Sequence, residues 1–192
     1  MVIGITGNSG TGKSEIAKLL AEKINAEIIN ADLVAKKLSE PGNIYNKKII
    51  ELFGKEIIEN EKINRKKLAD IVYNNSQKRE LLNNLTYVYV GNEIKQMVEL
   101  IKNQNVIIDA PLLFECGLDK ICDFTIAVFA DKKTKIERIC KRDGIDESTA
   151  KSRLAIQHGI EYYRTHADYL MGNNGNFNEI DLEEICTKIG KN

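Results

Sequence analysis

The sequence predicts a three-layer α/β fold with a parallel five-stranded sheet, and two features of the chain predict it. Short apolar runs rich in β-branched residues recur along the chain, as in strands buried inside a parallel sheet. Between them lie segments whose apolar residues follow helical spacing. Alternation of these segments is typical of this fold class, and 192 residues suit one core domain with one or two excursions.

The first predicted strand is VIGIT, and a glycine-rich turn and an amphipathic helix from Lys13 follow it at once. A last helix is expected over residues 178–189, where it would close the domain. In chain order, the predicted strands cover residues 2–6, 27–30, 106–109, 124–129 and 168–171.

Two predicted helical segments lie outside this core. Residues from about 41 to 103 show helical patterns, with a long one from Ser76, and no convincing strand, so they predict a helical insertion. Residues from about 132 to 159 hold two basic, helix-like segments divided by Asp143-Gly144, which predict a helical lid; Asp146 is placed to cap the second. The predicted core then consists of residues of about 1–40, 104–131 and 160–192.

Charge and cysteine content exclude several classes of protein. Lys plus Arg and Asp plus Glu both number 28, so no overall field draws the molecule towards nucleic acid or an acidic membrane. No apolar run approaches the roughly 20 residues that span a bilayer. The four cysteines form no CxxC pair, and the chain opens directly on an apolar strand, so we expect a cytoplasmic protein with free thiols.

The segment GNSGTGKS at residues 7–14 matches the P-loop pattern G-x-x-x-x-G-K-[ST] at every fixed position, between a predicted strand and a helix. Such a loop turns backbone N–H groups towards phosphate oxygens, and the following helix dipole favours the same charge. Lys13 would neutralise the β- and γ-phosphates, and the Ser14 hydroxyl would bind Mg²⁺. A glycine-rich turn that binds nothing is the alternative. The residues predicted to contact the nucleotide are Gly10, Thr11, Gly12, Lys13, Ser14 and Glu15.

Two aspartates follow predicted strands at the edge where open α/β sheets bind ligands. Asp109 ends the strand VIID, where a second acidic residue can meet the magnesium ion or its water shell; it could instead cap the loop before Pro111. Asp32 follows the second strand. It could accept the proton of an attacking hydroxyl or cap the next helix. The sequence leaves both alternatives open.

Three arginines of the lid segments, Arg138, Arg142 and Arg153, are candidate phosphate contacts. Phosphoryl transfer spreads negative charge over the equatorial oxygens, and guanidinium groups on a closing lid stabilise it. Surface helices are also commonly basic on their solvated face, which is the alternative for each arginine. The cluster as a whole favours a lid that contacts phosphate.

Three longer segments, together with the P-loop, resemble the dephospho-CoA kinase family. They are INADLVAKKLSEPG at 29–42, IIDAPLLFECGLDKICD at 107–123 and ERICKRDGIDESTAKSRLAIQ at 137–157. The segment HADYLMGNNGNFNEI at 166–180 also looks like the C-terminal strand and nucleotide-base loop of that family. The match is weakest between about residues 45 and 103.

The resemblance implies a P-loop NTPase fold with a helical substrate-binding insertion and a lid. It implies ATP and Mg²⁺ at the P-loop and phosphorylation of the ribose 3′-hydroxyl of dephospho-CoA, the last step of coenzyme A synthesis. In this reading Asp32 is the base, Arg142 contacts phosphate and Thr6 lies near the reacting groups. The expected partners are the small molecules ATP and dephospho-CoA, with neither nucleic acid nor membrane, and the oligomeric state is undetermined.

Some positions depart from the family pattern. Asn8-Ser9 stands where Gly-Ile is usual, and Glu15 stands where a threonine is usual. In the insertion, Tyr87-Val88 replaces a common His-Pro pair, so substrate-side contacts are less defined than the ATP side.

Two other functions compete with this reading. A kinase of another small acceptor, such as a nucleoside or nucleoside monophosphate, would share the P-loop, sheet and lid. A GTP-dependent regulatory switch would need a guanine motif, but the chain has no Asn-Lys-x-Asp sequence and no DxxG after the Asp109 strand.

Overall fold

The structure, a computed structural model, describes residues 1–175 and 179–190. Five parallel strands form its central sheet, with helices on both faces, which confirms the predicted three-layer α/β fold. The strands are β1 (Val2–Thr6), β2 (Ala26–Asn30), β3 (Ile58–Glu59), β4 (Lys62–Ile63), β5 (Asn105–Asp109), β6 (Phe124–Phe129) and β7 (Tyr169–Gly172).

The helices also follow the predicted pattern closely. The expected cap is confirmed, since the Asp146 carboxylate accepts a hydrogen bond from the Thr149 N–H at 2.7 Å. The last helix begins at Glu179, and residue 178 of the expected helix lies outside the described residues. The helices are α1 (Lys13–Ile24), α2 (Ala31–Leu38), α3 (Ile44–Phe53), α4 (Arg65–Asn74), α5 (Ser76–Leu100), α6 (Lys132–Asp143), α7 (Glu147–Ala155), α8 (Ile160–His166) and α9 (Glu179–Ile189).

The strand order of the large sheet is β2-β5-β1-β6-β7, and every neighbouring pair is parallel. In this register Asp109 of β5 lies between Asn30 of β2 and Ile5 of β1. Thr6 is the last residue of β1. The carboxyl ends of the central strands therefore bring their polar residues to one edge of the sheet, beside the loop that leaves β1.

The expectation that the insertion contains no strand is wrong in one place. Strands β3 and β4 pair as a two-residue antiparallel hairpin. Asn60 and Glu61 at its turn have φ values of 49° and 64°, as a type I′ turn requires. Two residues per strand are too few to show the alternating pattern by which a strand is recognised, and Asn-Glu lacks the glycine that usually marks this turn.

Hydrophobic layers cover both faces of the sheet, because alternate strand residues point to opposite sides. Ile108 packs with Ile49 of α3 and Ile94 of α5 on one face, whereas Ile107 packs on the other. The second layer is made with α1 and α9, and its members include Ile16, Leu20, Ile185 and Ile189. Full burial of one such side chain contributes about 1.5–3 kcal/mol.

A small separate cluster of Ile136, Ile139 and Ala150 holds α6 against α7. The two lid segments thus form a helical hairpin that packs within itself. Gly144 ends α6 with a φ of 64°, and its N–H donates to the Cys140 carbonyl oxygen. Across the described ranges, we find no helix with the length and apolar character to span a membrane.

Candidate active site

The glycines of the P-loop have positive φ angles, which glycine adopts far more readily than other residues. Gly10 and Gly12 have φ values of 80° and 83°, and Gly12 immediately precedes α1. A Cβ atom on Gly10 would lie 2.7 Å from the carbonyl oxygen of Lys135, so α6 packs directly on the loop. The first turn of α1, with Lys13 and Ser14, borders a cavity at the carboxyl edge of the sheet.

A cavity of 570 Å³ opens over this turn. It is bordered by the loop, by Asp32 at the start of α2, by Tyr73 at the end of α4 and by α6. The structure therefore brings together most of the residues predicted from sequence. Those that border the cavity are Gly10, Gly12, Lys13, Ser14, Glu15, Asp32, Arg138 and Arg142.

The predicted residues Thr6, Thr11 and Asp109 are buried next to the loop and do not border the cavity. The Thr6 hydroxyl donates to the Pro111 carbonyl oxygen at 3.2 Å, so it fixes the loop that leaves β5. Thr11 donates to the Asn8 carbonyl oxygen at 2.9 Å and stabilises the P-loop from within.

Asp109 is the centre of a buried polar cluster beneath the cavity and is 2% exposed. Its Oδ2 accepts hydrogen bonds from the Ser14 hydroxyl at 2.6 Å and from Asn30 Nδ2 at 2.8 Å. The Lys13 ammonium lies 3.7 Å from Oδ1. The carboxylate thus holds both functional side chains of the P-loop, and it does not cap the loop before Pro111.

The cluster fits a hard divalent cation. Asp109 Oδ1 is buried and accepts no hydrogen bond from the described residues. Such an orphaned oxygen is costly unless a ligand uses it. Mg²⁺ prefers oxygen ligands and is usually bound by one or two protein groups together with substrate phosphates. The Ser14 hydroxyl, which borders the cavity, and the Asp109 carboxylate beneath it are groups of this kind, in direct contact with each other.

Asp32 does not cap α2. The capping residue is Asn30, whose Oδ1 accepts a hydrogen bond from the Leu33 N–H at 3.0 Å. Asp32 lies in the first turn of the helix, is exposed and borders the cavity. Its carboxylate therefore has no capping role, and the other alternative, acceptance of a proton from an attacking hydroxyl, stays a prediction.

Arg142 reaches the cavity from the end of α6, and Asp143 holds it in a two-pronged contact. Arg142 Nε donates to Asp143 Oδ1 at 2.7 Å and Nη2 to Oδ2 at 3.0 Å. Nη2 also donates to the Ser9 hydroxyl at 3.1 Å. The Asp143 hydrogen bonds, and to a smaller extent the charge of Asp32, raise the pKa of Arg142 above its ordinary value.

The structure gives the other two predicted arginines different surroundings. Arg138 Nη1 donates to the carbonyl oxygens of Gly10, Thr11 and Asn173 at 3.2, 3.3 and 2.9 Å, so it braces the P-loop. Arg153 does not border the cavity over the P-loop. Its Nη1 instead donates to Asp143 Oδ2 at 2.8 Å.

Several site residues escaped the sequence analysis. Asn30 bridges Asp109 and α2, and Asn173 after β7 donates through Nδ2 to the Thr11 carbonyl oxygen at 2.9 Å. Their position directly at the ends of strands was the only signal available. Tyr73 lies in the insertion, where the sequence shows no feature that separates it from other helical tyrosines.

Comparison with known proteins identifies the family. A model of the dephospho-CoA kinase family matches residues 1–179. The chain belongs to the dephospho-CoA kinase family. A dephospho-CoA kinase from Fusobacterium nucleatum is 37% identical over 192 residues, which cover 98% of each chain. Another from Oryza sativa is 34% identical over 196 residues, which cover 99% of this chain and 85% of the relative.

Solved structures agree with this assignment. A dephospho-CoA kinase from Campylobacter jejuni is 26% identical, with a TM-score of 0.65, and the match covers 99% of this chain and 95% of that one. A Thermus thermophilus protein is 25% identical, with a TM-score of 0.79 and coverage of 100% and 96%. A shikimate kinase from Bacteroides thetaiotaomicron, at 16% identity and a TM-score of 0.55, shares the fold alone. The resemblance to dephospho-CoA kinases seen in the sequence is confirmed.

Proposed function

We propose that the protein transfers the γ-phosphate of ATP to the ribose 3′-hydroxyl of dephospho-CoA, giving coenzyme A and ADP in the final step of coenzyme A biosynthesis. Membership of the dephospho-CoA kinase family supports the substrate. The observation that carries the proposal is geometric: the P-loop turn, Asp32 and Arg142 border one cavity from three separate elements.

Each of these groups has a distinct role in the proposal. The backbone of the P-loop and the ammonium of Lys13 bind the β- and γ-phosphates. Ser14 and Asp109 would hold Mg²⁺, which would neutralise charge on the phosphate oxygens. Arg142 contacts the transferring phosphoryl group, where its planar guanidinium can bind two oxygens. Thr6 acts indirectly, because its hydroxyl fixes the loop at Pro111.

Asp32 acts on the acceptor in this proposal. A ribose hydroxyl is a weak nucleophile, and a carboxylate that orients it and takes its proton typically contributes roughly 100- to 10,000-fold to the rate. The exposed carboxylate of Asp32 borders the cavity from the start of α2, where it could contact a hydroxyl of the acceptor.

A second cavity, of 320 Å³, supports the placement of the acceptor. It lies between the P-loop and helices α4 and α5, and it shares Ser9, Tyr73 and Pro111 with the cavity over the P-loop. Arg79 supplies a cation on its wall, which suits the diphosphate of the acceptor. We therefore assign the insertion, about residues 41–103, to acceptor binding, and residues of about 132–159 to a lid. The four free cysteines support a cytoplasmic location.

An acceptor assay tests this function. The protein is incubated with ATP and Mg²⁺ and with dephospho-CoA, adenosine or AMP, and products are identified by mass spectrometry. We expect coenzyme A from dephospho-CoA and little product from the other two acceptors. Faster phosphorylation of adenosine or AMP would establish the nucleoside or nucleotide kinase instead. Thermal stabilisation by GTP in place of ATP would point to the GTP-binding class.

A further inference from the structure

A chain of four side chains connects the insertion with the lid arginine. The guanidinium carbon of Arg153 in α7 lies 4.9 Å from the centroid of the Tyr73 ring, at the end of α4. Arg153 Nη1 donates to Asp143 Oδ2 at 2.8 Å. Asp143 in turn accepts the two hydrogen bonds from Arg142 already described. The contacts run without a gap from an aromatic ring of the insertion to the arginine at the P-loop cavity.

The two central side chains of this chain are partly shielded from water. The side chains of Asp143 and Arg153 are 23% and 24% exposed, against 61% for Arg142. The hydrogen bonds from Arg142, with a smaller effect of the Arg153 charge, hold the pKa of Asp143 below its ordinary value. Asp143 is therefore a charged, two-sided acceptor at neutral pH, with one arginine on each side.

One N–H group of Arg153, at Nε, is buried without a hydrogen-bond partner among the described residues. A buried N–H without a partner destabilises the folded state. The geometry that leaves Nε unpaired is the one that stacks the guanidinium on Tyr73 while Nη1 faces Asp143. Arg153 thus leaves one of its own N–H groups without a hydrogen bond to any residue that the structure describes, while it holds Asp143 in place.

Tyr73 is the point at which this chain meets the cavities. It borders the cavity over the P-loop, the cavity between the P-loop and the insertion, and a third cavity between α4 and α7. A group bound in either of the first two cavities can therefore contact the ring over which the Arg153 guanidinium lies.

We propose that Tyr73, Arg153 and Asp143 are positioning residues that set the orientation of Arg142 for phosphoryl transfer. Arg142 is long and largely exposed, so without a partner it would sample many rotamers. The contact with Asp143 uses its Nε and Nη2, and Nη1 makes no hydrogen bond with the described residues. Two guanidinium groups and one carboxylate leave a net positive charge for phosphate. This inference rests on the proposed role of Arg142, and it reassigns Arg153 from phosphate contact to support of that role.

Kinetics of variants test the proposal. Arg153→Lys keeps the charge but loses the planar group that stacks on Tyr73 and faces Asp143. Tyr73→Leu removes the aromatic face. We expect either change to lower kcat by about tenfold, a size typical of coupling between contacting residues, while the KM for ATP changes less than about twofold. Tyr73→Phe, which keeps the ring, should restore most of the lost rate. Arg164→Lys is the matched control, since Arg164 lies on the exposed face of α8, where it pairs with Glu161.

The Arg142→Ala background separates positioning from a purely structural role. If the three residues act through Arg142, Arg153→Lys and Tyr73→Leu should change kcat less than about twofold once Arg142 is absent. If they only stabilise the lid, their losses should multiply with that of Arg142→Ala, and unfolding temperatures should fall in parallel. Multiplying losses, or a wild-type kcat in both single variants, would overturn the proposal.

A binding measurement keeps this test independent of the acceptor. ADP with Mg²⁺ and aluminium fluoride imitates the phosphoryl group in transfer, and calorimetry gives its affinity without turnover. We expect Arg153→Lys and Tyr73→Leu to weaken its binding by about tenfold and ATP binding by much less. Failure of the wild type to use dephospho-CoA would contradict the proposed function alone. Unchanged binding of the mimic in both variants would contradict the positioning role alone.

Discussion

Lys13 shows how one side chain can be prepared for a ligand. Its side chain is 15% exposed and its ammonium lies 3.7 Å from Asp109 Oδ1, so the fold already holds the charge at the floor of the cavity. The backbone of the loop directs it there, because Gly12 caps α1 and Lys13 is the first residue of that helix. The side chain borders the cavity and contributes its charge there.

Lys13→Ala should therefore abolish most of the activity and leave the fold intact. A charge that contacts the transferring phosphate typically contributes on the order of 100-fold or more to the rate. The measurements are the initial rate of coenzyme A formation and the unfolding temperature. Lys18→Ala is the matched control, since Lys18 lies on the exposed face of the same helix. Near-normal turnover of Lys13→Ala would rule out the P-loop assignment.

Asp32→Asn tests the proposed base with a side chain of the same size. Asparagine cannot accept the proton of the acceptor hydroxyl, so we expect the rate of coenzyme A formation to fall by roughly 100-fold or more. ATP affinity, measured by calorimetry, should persist or rise slightly, because a negative charge near the phosphates is lost. Stability should be unchanged, since Asn30 caps the helix. A variant with full activity would refute the base, and one that cannot bind ATP would refute its acceptor-side position.

Among single residues, the sequence predicts those that have a fixed place in a motif or at the end of a strand. Lys13 and Ser14 were found because the P-loop pattern places them, and Asp109 because it ends a buried strand. The lid arginines could not be told apart in the same way. Helical spacing does not reveal that α6 packs on Gly10, so that Arg138 donates hydrogen bonds to backbone carbonyl groups of the P-loop. Nor does it reveal that Arg153 pairs with Asp143 and does not border the cavity.

At the scale of elements, the tip of the P-loop is bonded to the segment between α7 and α8. Asn8 Nδ2 donates to the His158 carbonyl oxygen at 2.8 Å, and Asn8 Oδ1 accepts from the Tyr163 hydroxyl at 2.6 Å. The Ser9 N–H donates to Gln157 Oε1 at 3.0 Å. The side chain of Asn8 therefore makes two of the three hydrogen bonds of this connection.

Asn8→Gly should weaken that connection in a defined way. The Tyr163 hydroxyl, on a residue only 6% exposed, would lose its acceptor, and an unpaired buried hydroxyl costs about 1–3 kcal/mol. We expect the free energy of unfolding to fall by about that amount in urea titrations. Adding Tyr163→Phe to Asn8→Gly removes the unpaired hydroxyl and should recover part of the loss. Equal stability of wild type and Asn8→Gly would show that the contact contributes nothing.

Element boundaries were predictable where the chain carries strong local signals. The β6 strand and the start of α5 match the sequence prediction, because an apolar run and a long helical pattern define them. The β3–β4 hairpin was missed, since its pairing depends on the turn at Asn60 and on neighbouring helices more than on its own two-residue strands. Tertiary packing decides such short elements.

At the scale of the whole molecule, the loop that follows β5 joins the sheet to the insertion. Cys116 packs in the hydrophobic layer between them, and the Cys122 thiol donates to the Leu118 carbonyl oxygen at 3.2 Å. Burial raises the pKa of each thiol from its ordinary value of 9.0 to about 12. The order of strands and helices could be predicted from the sequence. The burial of these thiols could not, because it depends on how the sheet packs against the insertion.

The raised thiol pKa values make the stability of the molecule fall in alkaline solution. In the unfolded chain both thiols ionise near pH 9, whereas in the folded protein they stay protonated up to about pH 12. Between these values the unfolded state binds fewer protons, so the free energy of unfolding decreases as pH rises, by up to about 1.4 kcal/mol per pH unit for each thiol. Urea titrations from pH 8 to 10.5 measure this slope.

The double variant Cys116→Ala/Cys122→Ala isolates the contribution of the thiols. It is expected to be less stable than the wild type at every pH, because it loses buried sulfur atoms, so the slope with pH is the quantity compared. Tyr162, whose pKa burial raises to about 12, adds a similar decline only above its ordinary value of 10.0, and it does so in both proteins. A shallower slope in the variant between pH 9 and 10 would locate the alkaline sensitivity in the layer between sheet and insertion. Equal slopes would mean that this layer opens before the molecule unfolds and exposes both thiols to water.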